Sequence, residues 1–105
     1  MLLDECIPRR LKEALPGHDV RTVADMRWRG RKNGELLSVA SGQFDAFITV
    51  DRGIEYQQNV SAFAIAVLLL RARSNDIDDL TPLMPRVREL LPGLRPGQVL
   101  HVEGS

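Results

Sequence analysis

The sequence predicts an α/β domain: three layers, with helices on both faces of a mainly parallel five-stranded sheet. Three observations lead there. Short apolar runs break abruptly into charge, as at Met1-Leu2-Leu3 before Asp4-Glu5, Ala46 to Val50 before Asp51, and Ala64 to Leu70 before Arg71. Runs this short and this apolar read as strands buried on both faces. Helical patterns lie between them, and no linker, repeat or low-complexity segment breaks the alternation. Strand and helix in alternation make a parallel sheet, and 105 residues make one domain, 1–105, with one core.

The elements follow in order. Leu2-Leu3 opens as a strand. Pro8 suits a first helical turn, and Ile7, Leu11, Ala14 and Leu15 share one helical face until Pro16-Gly17 stops it. His18 to Val23 reads as a second strand near a sheet edge. Ala24 to Lys32 is a short helical turn and then a loop, the most basic segment of the chain. Asn33 is the expected N-cap of the next helix, with Glu35 in its first turn, Leu36, Leu37 and Ala40 on its apolar side and Gly42 at its end.

Ala46 to Val50 is the central strand, and Gly53 to Val60 holds one or two helical turns. Ala64 to Leu70 is the fourth strand. From Asp76 a helical pattern runs through Ile77, Leu80, Leu83, Met84, Val87, Leu90 and Leu91, interrupted at Pro82 and Pro85, which predicts a kink or two pieces rather than one smooth helix. Gln98 to Val102 closes the sheet as an edge strand. Right-handed crossovers then give the order 2-1-3-4-5, with the switch point between strands one and three.

Composition narrows the function classes. Fourteen basic and fourteen acidic residues cancel, which removes a basic field over the whole surface and leaves only local patches. A lone cysteine and two distant histidines supply neither a disulfide nor a zinc site, and a reducing cytoplasm fits. No signal peptide is expected at Met1, and the longest apolar run, Ala62 to Leu70, is too short to span a membrane. No Gly-x-Ser-x-Gly elbow and no Gly-rich phosphate loop with Lys appears.

What remains is an acidic constellation. In the order 2-1-3-4-5, Asp4 and Asp51 follow neighbouring strands and face each other across one crevice. Glu5 lies beside Asp4, Glu35 begins the helix leading into the third strand, and Glu55 comes one helical turn after Asp51. Carboxylates held this closely need a cation, and hard oxygen ligands with open water positions suit magnesium or manganese. Such a site activates water for attack on a phosphodiester. Each acid also has a simpler reading: Asp4, Glu5 or Asp51 as a cap of the helix that follows, Glu35 as compensation for a helix dipole. Trp28, among Arg27, Arg29, Arg31 and Lys32, can stack a base or pack over the core. Arg52, Arg71, Arg73 and Asn59 are candidate phosphate or substrate contacts, or solvated surface.

Several of these segments resemble a family of small prokaryotic PIN-like proteins: Leu2-Leu3-Asp4-Glu5-Cys6-Ile7-Pro8-Arg9-Arg10-Leu11, His18-Asp19-Val20, Trp28-Arg29-Gly30, Gly34-Glu35-Leu36-Leu37 and Phe44 to Arg52. Tyr56-Gln57-Gln58-Asn59 and Leu70 to Asn75 continue the match over nearly the whole chain. The resemblance implies a PIN-like fold and a magnesium- or manganese-dependent ribonuclease, the toxin of a toxin–antitoxin pair with a small antitoxin protein as partner, and a homodimer. It implies Asp4, Glu35 and Asp51 as catalytic acids, with Asp4, Asp51 and Glu5 on the metal. The chain departs from the pattern at Asn33, where many relatives carry Asp, and the fourth acid has only Glu5 or Glu55 as candidates. The rival expectations are a PIN-like binding module without catalysis and a receiver-like phosphorylation domain. The receiver reading lacks its late-strand lysine, because Lys12 and Lys32 both lie in the first third of the chain.

Overall fold

In the computed structural model, residues 1–103 are described. Five parallel strands form one sheet: β1 (Leu2–Leu3), β2 (Arg21–Thr22), β3 (Ala46–Thr49), β4 (Ala66–Arg71) and β5 (Val99–Glu103), in the order β2-β1-β3-β4-β5. All four pairings are parallel, so the sheet is wholly rather than mainly parallel. The helices are α1 (Asn33–Ala40), α2 (Ile54–Gln57), α3 (Ile77–Leu80) and α4 (Met84–Leu90).

Alternation along the strands builds the three layers. Successive strand residues point to opposite faces. Leu2, Phe47 and Val67 therefore pack on one side with Leu36, Leu37 and Ala40 of α1 and with Ile54 of α2. Leu3, Ile48, Leu68, Leu70 and Val102 pack on the other with Leu11, Leu80, Met84 and Val87. Because both faces are covered, the inner strands can be apolar at every position.

Three elements differ from expectation. The stretch after Pro8 is a 3-10 helix, Arg9–Ala14, although its apolar residues Ile7, Leu11 and Leu15 are buried as the spacing requires. The Asp76–Leu91 pattern is cut more finely than two pieces. A 3-10 turn, Thr81–Leu83, joins α3 to α4, and another, Leu91–Gly93, follows α4. Pro82, Pro85 and Pro92 each remove an amide donor at the start of one of these segments. Asn33 is the first residue of α1 rather than its cap; Lys32 takes the cap position with no side-chain bond. Among the described residues, no helix is long and apolar enough to cross a membrane.

Asp25 secures the short edge strand. Its carboxylate takes Lys12, Arg9 (2.6 Å) and the Thr22 backbone N–H (3.0 Å), while its own N–H donates to Thr22 Oγ1 (2.9 Å). The 3-10 helix and β2 are thereby tied together. The Lys12 bond, then the Thr22 amide, hold the Asp25 carboxyl well below the usual carboxylate range. A depressed folded-state pKa adds stability that is complete above the unfolded value and disappears as pH falls. Stability should therefore drop as pH is lowered below about 4. Asp25→Asn should be less stable at neutral pH and show a flatter acid limb, as read from urea midpoints across pH.

Candidate functional site

The Asp4 carboxylate and the Asp51 backbone amide, at the ends of β1 and β3, meet at one hydroxyl. The register pairs Leu2 with Phe47 and Leu3 with Ile48, and the Asp4 N–H continues the ladder to the Ile48 carbonyl at 2.9 Å. Asp4 therefore lies beside Thr49. Thr49 Oγ1 is 2.6 Å from Asp4 Oδ2 and 3.0 Å from the Asp51 amide nitrogen. The amide is a donor, so the hydroxyl must accept from it and give its single proton to Asp4. Thr49 is fully buried, and Asp4 is 9% exposed. Period-2 alternation puts Leu2, Asp4, Phe47 and Thr49 on the α1 face of the sheet.

Each carboxylate has further partners. Asp4 Oδ1 accepts the Glu5 N–H at 2.8 Å, and Oδ2 also lies 3.6 Å from the Cys6 thiol. Burial pushes that thiol up from its ordinary pKa, and the charge of Asp4 adds to the effect. The exposed Asp51 accepts the Gly53 N–H on Oδ1 and the Asn33 amide on Oδ2, each at 2.9 Å. The Gly53 bond realises the simpler reading, because Asp51 does shape the turn into α2. A carboxylate offers about four acceptor positions. Asp51 thus keeps two open and Asp4 one, among the described residues.

Asn33 was not expected here. It stands four residues before Leu37 and seven before Ala40, so it lies on the buried stripe of α1 at the level of Asp51. Glu35, two residues on, is turned about 200° around the helix axis. It is exposed and joins neither acid. The signal was in the sequence: Asn33, Leu36, Leu37 and Ala40 share the i, i+3, i+4, i+7 spacing of one face. Thr49 was hidden for a simpler reason, as a β-branched residue in a buried run looks like packing.

The remaining candidates lie elsewhere. Glu5 bonds the Gly30 N–H at 2.8 Å, on the β2 side of Asp4. Glu55 faces His101 Nε2 at 3.0 Å, while Arg71 lies 3.0 Å from His101 Nδ1 and 3.6 Å from Glu103. With Nδ1 accepting from a guanidinium, the ring proton sits on Nε2 and points at Glu55. Arg71 and Glu55 thus belong to a network along the β5 edge. Arg52 is exposed beside Asp51. Trp28 is half-buried and packs edge-on to Phe44, ring centres 6.2 Å apart, in the α1-side core. Asn59 Oδ1 accepts from Ser61 Oγ at 2.7 Å, and the Ser61 backbone approaches Gly97 in the turn before β5, so Asn59 serves the opposite end of the sheet.

The donor set is hard oxygen: two carboxylates, with one amide and one hydroxyl beside them. Among the described residues, no group of three or more His, Cys, Asp or Glu side chains converges on one point. Magnesium is commonly held by one or two carboxylates with several waters retained. In donor type, the two carboxylates match one hydrated divalent ion and are too few to enclose two. No family model, no curated protein and no solved structure matches the chain.

Removing the Thr49 hydroxyl strands a buried carboxylate oxygen and the Asp51 amide together. Thr49→Val should cost about 1–3 kcal/mol. Thr49→Ser, which keeps the hydroxyl, should lose less than half of that in a urea titration.

Proposed function

We propose that the chain is a PIN-like, magnesium- or manganese-dependent ribonuclease whose reaction centre is the Asp4–Asp51 pair. The observation that supports this best is the Thr49 hydroxyl, which links the Asp4 carboxylate to the backbone amide of Asp51 at the C-terminal ends of adjacent central strands. Ligands of open parallel sheets bind outside that edge, at the point where the strand order reverses. Asp4 and Asp51 would hold the ion, which when bound neutralises phosphate charge and acidifies water.

The protein's own residues supply the rest. Hydrolysis bonds the hydroxyl of water to phosphorus and breaks the bond to the ribose oxygen, which leaves with a proton from solvent while the proton taken from water is returned to solvent. Asp51, exposed and with acceptor positions open, takes the proton from the attacking water. Asp4 is held in place by hydrogen bonds from Thr49 and Glu5. Arg52, next to Asp51, meets the phosphate oxygens as a bidentate donor. A cytoplasmic toxin role, a small antitoxin partner and a homodimer rest on the resemblance of the Asp-Glu-x-x-Pro and Thr-x-Asp-Arg segments alone.

A binding module without catalysis is the second reading, and Asn33 favours it. Its amide occupies Asp51 Oδ2, where a third carboxylate would complete a fuller metal site. Calorimetry with manganese separates the two, since the ribonuclease must bind the ion at neutral pH. With manganese present, Asp51→Asn should lower the cleavage rate of single-stranded RNA by about a hundredfold or more, with an unchanged melting temperature. Cleavage at the parental rate by that variant would refute the mechanism.

A further inference from the structure

A cleft of about 320 Å³ opens on the β2 side of Asp4, away from Arg52 and Arg71. Asp4, Glu5, Thr22, Val23, Arg9 and Arg29 are among the residues that line it. The volume is at the lower end of the range for small-molecule sites and suits one nucleotide unit. Because Asp4 also faces the reaction centre, the two spaces share a carboxylate.

The 28–30 loop is built to present Arg29. Trp28 turns inward against Phe44 and anchors the loop in the core. Its N–H donates to the Val23 carbonyl at 3.0 Å, and Glu5 takes the Gly30 N–H at 2.8 Å. Arg29 is fixed between these two attachments. Just before it, Arg27 adopts a left-handed conformation with φ at 61°, uncommon for a residue with a side chain.

Charge decides what the cleft takes. Arg29 has no carboxylate within ion-pair distance among the described residues, whereas Arg71 is engaged by His101 and Glu103. Arg9 has given one N–H to Asp25 and keeps four of its five donors. Asp25 is shared with Lys12, so two cations there meet one carboxylate. Asp4 and Glu5 are the opposing charges in the cleft, Asp4 with donors from Glu5, Cys6 and Thr49 and Glu5 with one oxygen occupied by the Gly30 amide. A guanidinium without a partner among the described residues, in a cleft that shares Asp4 with a proposed phosphodiester site, is suited to phosphate.

We infer that this cleft holds the RNA phosphate next to the one being cut, with Arg29 as its direct ligand and Arg9 as the second. The inference rests on the ribonuclease reading for its geometry. It routes the strand over β1 and β2 rather than over β4 and β5.

The test reads binding without cleavage. A labelled, single-stranded 2′-O-methyl RNA is titrated by fluorescence anisotropy in chelator, so that neither metal nor hydrolysis contributes. Arg29→Glu should weaken binding by about tenfold and lower the salt slope by about 0.7, the share of one phosphate contact on a single strand. Arg95→Glu, exposed in the turn at the opposite end of the sheet, should change it less than twofold. Arg29→Gln, a milder change, gives the same comparison if the Glu variant melts early.

Equal weakening by the Arg29 and Arg95 variants would overturn the inference, since any lost cation would then suffice. Inorganic phosphate that binds through Arg29 while the RNA does not would also overturn it. An intact Arg29 effect in a protein that never cleaves RNA would sink the ribonuclease reading and leave the cleft standing. Metal-dependent cleavage with no Arg29 effect would do the reverse.

Discussion

A single hydroxyl holds the centre of this molecule together. Thr49 has one proton, and the amide of Asp51 already donates to its oxygen, so that proton can go only to Asp4. A fully buried hydroxyl between a carboxylate and an amide cannot rotate to an alternative partner without leaving two polar groups stranded. The constraint reaches outward. It sets the register where β1 ends, the direction in which Asp4 points, and the position at which the chain leaves β3 to form the Asp51 turn. A two-residue strand would ordinarily be a weak anchor. Here β1 is hydrogen-bonded on both sides and is prolonged by the Asp4 ladder bond and this side-chain link.

The site that results is lopsided in charge. Asp4 is nearly buried and hemmed in by donors, while Asp51 is exposed and keeps more of its acceptor capacity. Asn33 adds an amide where a third acid would raise the local negative charge. The set is therefore modest: two carboxylates, enough to attract one hydrated ion and too few to enclose two. Around it, cations are divided unequally. Arg71 near β5 is engaged by the Glu55–His101–Arg71–Glu103 network, whereas Arg29 on the β2 side has no carboxylate partner among the described residues. That asymmetry, more than the net charge of zero, gives the surface a direction.

Much of the fold was legible because it depends on patterns a sequence carries openly. The Ala46–Val50 and Ala64–Leu70 runs are apolar or β-branched at every position, as strands covered on both faces require, and both became inner strands of a parallel sheet. The stripe of Leu36, Leu37 and Ala40 marked a helix face in the same way. The helix type after Pro8 was not legible. Six residues can satisfy the same apolar spacing as a 3-10 or an α turn, and the choice came from packing Leu11 and Leu15 under the sheet. The fragmentation around Pro82 and Pro85 was visible in kind and not in number.

For the site, local chemistry placed Asp4 and Asp51 at strand ends and tertiary structure chose their company. Side-chain alternation and the 2-1-3-4-5 order, both readable in one dimension, are enough to bring those two acids to one edge. They do not say which helix residue points at that edge, because a rotation of 200° separates Asn33 from Glu35 and only docking fixes the rotation. Nor do they distinguish a threonine that packs from one that bridges, or an arginine left free from one already paired. Those distinctions rest on contacts between residues distant along the chain, such as Thr49 with Asp4 and Gly30 with Glu5. Until the backbone closes, no local pattern can express them.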